Sequence, residues 1–107
     1  MRSHILSLLL TSAVLLALPA CSKYSDFCQK EADCEGGNDN DVDACVEASR
    51  GQEDVADAYD CSDEYDDLFD CVDENASCKS NHFSAGDDCD SKAEALSDCI
   101  KKSSSKD

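Results

Sequence analysis

Nine of the 107 residues are cysteines, at positions 21, 28, 34, 45, 61, 71, 78, 89 and 99. A disulfide removes conformations from the unfolded chain, so in a short chain the cysteine spacing constrains the fold more than any other residue type. The residues around the cysteines show why such constraint is needed. Beyond residue 20 the large aliphatic side chains are four valines, two leucines and one isoleucine, joined by Tyr24, Phe27, Tyr59, Tyr65, Phe69 and Phe83. A core built from these is marginal alone and calls for covalent staples.

An odd number of cysteines leaves one without a partner, and the N-terminus accounts for it. Met1-Arg2-Ser3-His4 is a short basic start, Ile5 to Leu18 is nearly all apolar, and Leu18-Pro19-Ala20 leads into Cys21. That is the three-part layout of a secretory signal. As a helix the apolar run is about 21 Å long, short of the roughly 30 Å hydrocarbon core of a bilayer. Ordinary signal peptidase takes small residues at the first and third positions before its cut, and Leu18 occupies the third.

Leu18-Pro19-Ala20-Cys21 resembles the lipobox of bacterial lipoproteins, Leu-x-(Ala/Gly/Ser)-Cys, although Pro19 is an uncommon residue at its place in the motif. The resemblance implies that the Cys21 thiol receives a diacylglycerol and that cleavage falls just before it. Ser22, which is not an aspartate, implies sorting to the outer membrane as in typical Gram-negative lipoproteins, with the mature domain in the periplasm or at the cell surface. The expected organisation is a removed signal (1–20), a lipidated anchor and short tether (21–23), a disulfide-rich helical domain (24–102) and a mobile tail (103–107). With Cys21 given to lipid, eight cysteines remain, an even number that reads as four disulfides formed in an oxidising compartment.

Charge narrows the partners. The chain from residue 21 keeps all 25 acidic residues and loses only Arg2 from the nine basic ones, leaving a formal net charge of −17. Such a surface repels nucleic acid and anionic lipid headgroups, so membrane attachment falls to the lipid.

Apolar spacing predicts an all-α fold, a small disulfide-stapled bundle of three or four short helices. Val55, Ala58, Cys61, Tyr65, Leu68 and Val72 recur at helical intervals over about 54–76, with no Gly or Pro among them after Gly51. A second run, about 90–102, places Ala93, Leu96 and Cys99/Ile100 on one face and Lys101 and Lys102 at a helix C-terminus. Shorter helices are expected over 24–34, ended by Gly36-Gly37, and over 41–49, closed by Gly51. The stretch 77–88 has loop composition, and no strand pattern competes.

Cys61 and Cys71 are separated by nine residues, and so are Cys89 and Cys99. This twin C-x9-C spacing resembles the coiled-coil-helix-coiled-coil-helix hairpin over roughly residues 60–100. The resemblance implies two antiparallel helices joined by Cys61–Cys99 and Cys71–Cys89, and both pairs fit a single register. The other four cysteines admit three pairings; a chain that zigzags favours Cys28–Cys45 and Cys34–Cys78.

The same residues bear on metal and catalytic chemistry. Zinc sites show close pairs such as C-x2-C, which these cysteines lack. Asp39, Asp41 and Asp43 resemble the opening of a D-x-D-x-D calcium loop and are candidates for weak calcium binding, but Ala44 stands where such a loop has its glycine and Arg50 where it has its closing glutamate. The acidic series from Asp57 to Glu74 reads as a solvated helix face. His82 is the one histidine beyond the signal, with no activated serine or free thiol to serve as nucleophile. No catalytic residue and no cofactor is expected. The leading expectation is a non-enzymatic envelope or surface lipoprotein that binds another protein or serves a structural role; a cation-binding module and a secreted disulfide-rich inhibitor or effector are the alternatives.

Overall fold

The computed structural model describes residues 23–106. The expected signal (1–20), the lipobox-like residues ending at Cys21, and Ser22 lie outside the described residues, as does Asp107. The fold is all-α: α1 (Lys23–Glu35), α2 (Asp39–Ala58), α3 (Ser62–Asn75) and α4 (Asp90–Ser104), with a short hairpin of β1 (Ser77–Lys79) and β2 (His82–Ser84) between the last two helices.

In α1, Tyr24, Cys28 and Ala32 recur every fourth residue and are the positions the helix buries. Its end is set by a pair of glycines with different tasks. Gly36 adopts a left-handed φ of +76°, and the Gly37 amide then donates to the Ala32 carbonyl at 2.8 Å, closing the last turn. At Gly37 the space is tight, since a Cβ there would lie 3.0 Å from the Asp41 carboxylate and 3.3 Å from the Ala32 methyl, and those side chains would have to give way by a few tenths of an ångström. Asn38 then starts α2 through a reciprocal cap: its side chain accepts the Asn40 amide at 2.9 Å, and Asp41 accepts the Asn38 amide at 2.8 Å.

Two boundaries differ from those expected. Gly51 does not end a helix; α2 runs through it to Ala58. The break comes instead within the stretch expected to be one helix over 54–76. Asp60 takes a left-handed φ of 56°, and the Cys61 amide donates to the Ala56 carbonyl at 2.8 Å. This is the same helix-ending device as at Gly36, with an aspartate in the left-handed position that a short polar side chain tolerates. The turn folds α3 back so that Tyr65 and Phe69 meet Tyr24 and Cys28 in one core cluster.

The stretch 77–88 also departs from a plain loop. Ser80 and Asn81 both have positive φ, the two-residue turn that matches strand twist, and they pair Cys78 with Phe83 across the hairpin. At the other end, α4 takes in Ser103 and Ser104, which the expected tail had included.

The core is thin. Tyr24, Cys28, Ala56, Cys61, Tyr65 and Phe69 are buried together, with Phe27, Val42, Cys45, Val46, Leu96, Cys99 and Ile100 half-buried around them. Edge-on ring contacts run from Tyr24 to Phe69 at 4.8 Å and on to Phe27 at 5.6 Å; Phe83 of β2 adds a tilted contact to Phe27 at 5.3 Å. Four disulfides close the structure: Cys28–Cys45 joins α1 to α2, Cys34–Cys78 joins α1 to the hairpin, and Cys61–Cys99 and Cys71–Cys89 bracket the α3–α4 pair.

Candidate functional site

Three groups of residues bear on function: the start of the domain, the acidic and cysteine clusters, and an apolar groove along α2.

The domain begins firmly held. Lys23 forms an ion pair with Asp66 of α3 at 2.9 Å, and its ammonium lies 5.2–5.8 Å from the ring centres of Tyr24, Tyr65 and Phe69. Burial pulls the Lys23 pKa down, but the hydrogen bond and charge of Asp66, with Glu53 and Tyr65 behind it, outweigh that and hold it above the ordinary value. Tyr24 donates to Glu53 of α2, and burial together with that bond pushes its hydroxyl far above the ordinary phenol range. Tyr65 donates to the Ser49 carbonyl at 2.9 Å. The first turn of α1 is thereby tied to both α2 and α3, two residues after Cys21.

Asp39, Asp41 and Asp43 fall in the first turns of α2 and are exposed. At about 100° per residue, the Asp39 and Asp41 side chains leave the helix roughly 200° apart. Asp41 is engaged in the cap to Asn38. The residues read as a calcium-loop opening form a helix start, and Asp39, Asp41 and Asp43 are not among the described groups close enough to share an ion. Among the described residues, one group of cysteine and acidic side chains lies close enough to share an ion: Cys61, Glu64 and Cys99. Two of its three members are the halves of one disulfide, which offers no thiolate to a metal. His82 is exposed on β2, with its Nδ1 3.8 Å from the Glu35 carboxylate. Phe83 beside it packs on Phe27.

The groove is the feature that sequence reasoning missed. Between α2 and α4, with Tyr65 at its floor, lies a trough lined by Ala48, Gly51, Gln52, Val55, Leu96 and Ile100. It continues through Ala48, Gln52 and Tyr65 into a second hollow against Phe27, Leu68 and Val72. Val55 is 51% exposed although it is a large aliphatic residue in a chain with few of them. Its signal was present in the sequence: Ala44, Ala48, Gly51, Val55 and Ala58 follow one another at intervals of four, three, four and three. Reading Gly51 as a helix end divided the series between two helices and hid it.

No protein-family model, no curated protein and no solved structure matches the chain.

Proposed function

We propose that this protein is a lipid-anchored lipoprotein of the bacterial cell envelope, held in the outer membrane by acylated Cys21, whose domain has a binding or structural role and not a catalytic one. The observation that carries the reading is the pairing of two features: a lipobox ending at Cys21, and a domain in which each of the other eight cysteines is in a disulfide. Disulfides of this density belong to an oxidising compartment beyond the cytoplasm. No described helix is long and apolar enough to cross a membrane, and in this reading the acyl chains supply the attachment. In this reading α1, which begins at Lys23, follows closely on the acylated residue, and the domain sits near the membrane surface.

Mass spectrometry of the protein purified from membranes tests this. The expected species begins at Cys21, carries a diacylglyceryl adduct on that residue and has no free thiol. A mature chain that starts at another residue, or an unmodified Cys21, overturns the proposal.

A further inference from the structure

Gly51 is the residue that the fold itself does not explain. It lies in the interior of a 20-residue helix, where glycine is the least favourable residue apart from proline. Its φ is that of an ordinary helical residue, and a Cβ built there would meet nothing within 4 Å. Neither backbone strain nor internal crowding calls for a missing side chain. What the absence leaves is open backbone at the centre of an exposed apolar strip.

The strip has the geometry of a helix seam. Ala44, Ala48, Gly51, Val55 and Ala58 keep the four-three spacing with which one helix presents a continuous stripe to another, over a length of about 21 Å. Small side chains there let a second helix approach closely, and Tyr65, Leu96 and Ile100 form the facing wall. Charge selects the occupant. Glu31 lines the inner part of the groove, and the exposed Asp54 stands one residue round α2 from the strip. Arg50, the one cation of α2, is engaged by Glu47 at 3.6 Å. A second copy of this chain would bring another net charge of −17 to the same place.

We propose that the groove between α2 and the α3–α4 wall is a docking site for a cationic amphipathic helix of another protein, about four turns long, seated with its apolar face on Gly51. The proposal deepens the binding role given above and does not depend on the anchor.

The test uses residues 23–106, which contain the whole described core and all eight paired cysteines, as lipid-free oxidised protein. The probe is a fluorescently labelled 18-residue helical peptide of leucine and lysine, with a leucine–glutamate peptide of the same pattern as its counterpart, followed by anisotropy at physiological salt. The expected result is saturable binding of the lysine peptide alone, weakened roughly tenfold or more by Gly51→Leu and unchanged by Ser91→Leu on the outer face of α4. Thermal melting of Gly51→Leu, expected to be no lower than that of the parent, shows that its loss is not unfolding. Equal binding to the parent and to Gly51→Leu would mean diffuse attraction to the acidic surface and would overturn the site. Absence of binding, equal binding of the glutamate peptide, or concentration-dependent dimerisation through the strip would do the same. Acylation of Cys21 is read separately by mass, so the two proposals fail independently.

Discussion

Removing Cys61–Cys99 and Cys34–Cys78 in turn separates two contributions that a disulfide makes. The bonds close stretches of similar length, with sequence separations of 38 and 44. In the chain-entropy account the loss of loop constraint therefore costs about 4 kcal/mol in both cases. The surroundings differ. Cys61 is fully buried against the core and Cys99 is half-buried, whereas Cys34 is half-buried and Cys78 exposed. Replacing both sulfurs of the inner bond by alanine also leaves a small void beside Tyr65 and Ala56, which adds roughly 1–2 kcal/mol. Cys61→Ala/Cys99→Ala is thus expected to lose about 5–6 kcal/mol, and Cys34→Ala/Cys78→Ala about 4 kcal/mol. The assay is guanidinium unfolding followed by far-ultraviolet circular dichroism, without reductant. A fixed concentration of a stabilising osmolyte keeps both variants folded at the start. Each variant is analysed with its own slope, because a chain with one cross-link fewer exposes more surface when it unfolds. If the outer bond proves as costly as the inner one, burial does not add to the cross-link. Losses far below 3 kcal/mol for both would refute loop closure as the source.

Gly51→Ala is expected to raise stability by about 1 kcal/mol, read as a melting temperature higher by about 4–8 °C, because its backbone is already helical and the space is open. Tyr65→Phe keeps the ring but removes the hydroxyl that donates to the Ser49 carbonyl, and chemical denaturation should show a loss of about 1 kcal/mol. Asn38→Ala removes one half of the reciprocal cap of α2 and is expected to cost about 1 kcal/mol by the same measurement. Burial, and then the charge of Glu35, raise the Glu31 pKa above the ordinary carboxyl range, so in the folded protein its ionised form is disfavoured. The penalty is complete above the folded-state pKa and vanishes below the unfolded value of about 4.3. Glu31→Gln should therefore stabilise the domain at pH 7 and lose that advantage as the pH falls to 4; an equal gain at both values would contradict the assignment.

The helical class was legible because it rests on local periodicity. Of the run read over 54–76, Cys61 and Tyr65 are buried and Leu68 and Val72 half-buried, while Val55 and Ala58, on the other side of the Asp60 turn, are exposed. What was misread lay at the boundaries. Gly51 is a strong breaker on composition, yet α2 carries it, because the capped start at Asn38 and the burial of Ala56 on the core side support the helix on both sides of it. Asp60 is no breaker on composition, yet it ends the helix, since only a turn there brings Tyr65 back to Tyr24. The hairpin at 77–84 was missed because Ser80-Asn81 is a weak turn signal beside Asn-Gly, and because Cys34–Cys78 and the Phe83–Phe27 contact that hold it come from α1, far away in sequence.

The cysteines draw the line between what the sequence by itself determined and what only the tertiary structure decided. Their number and spacing are properties of the chain: Cys21 directly after the apolar N-terminal stretch, eight cysteines beyond it, and two equal intervals whose antiparallel register opposes 61 to 99 and 71 to 89. The structure has those two bonds, together with Cys28–Cys45 and Cys34–Cys78. Sequence alone left the latter pair among three pairings, because which sulfurs meet depends on where α1 lies against α2 and the hairpin. The groove belongs wholly to the tertiary level. Ala44 to Ala58 form a stripe on any continuous helix, but whether a stripe is core or surface depends on what the rest of the chain packs against it, and here it is left exposed.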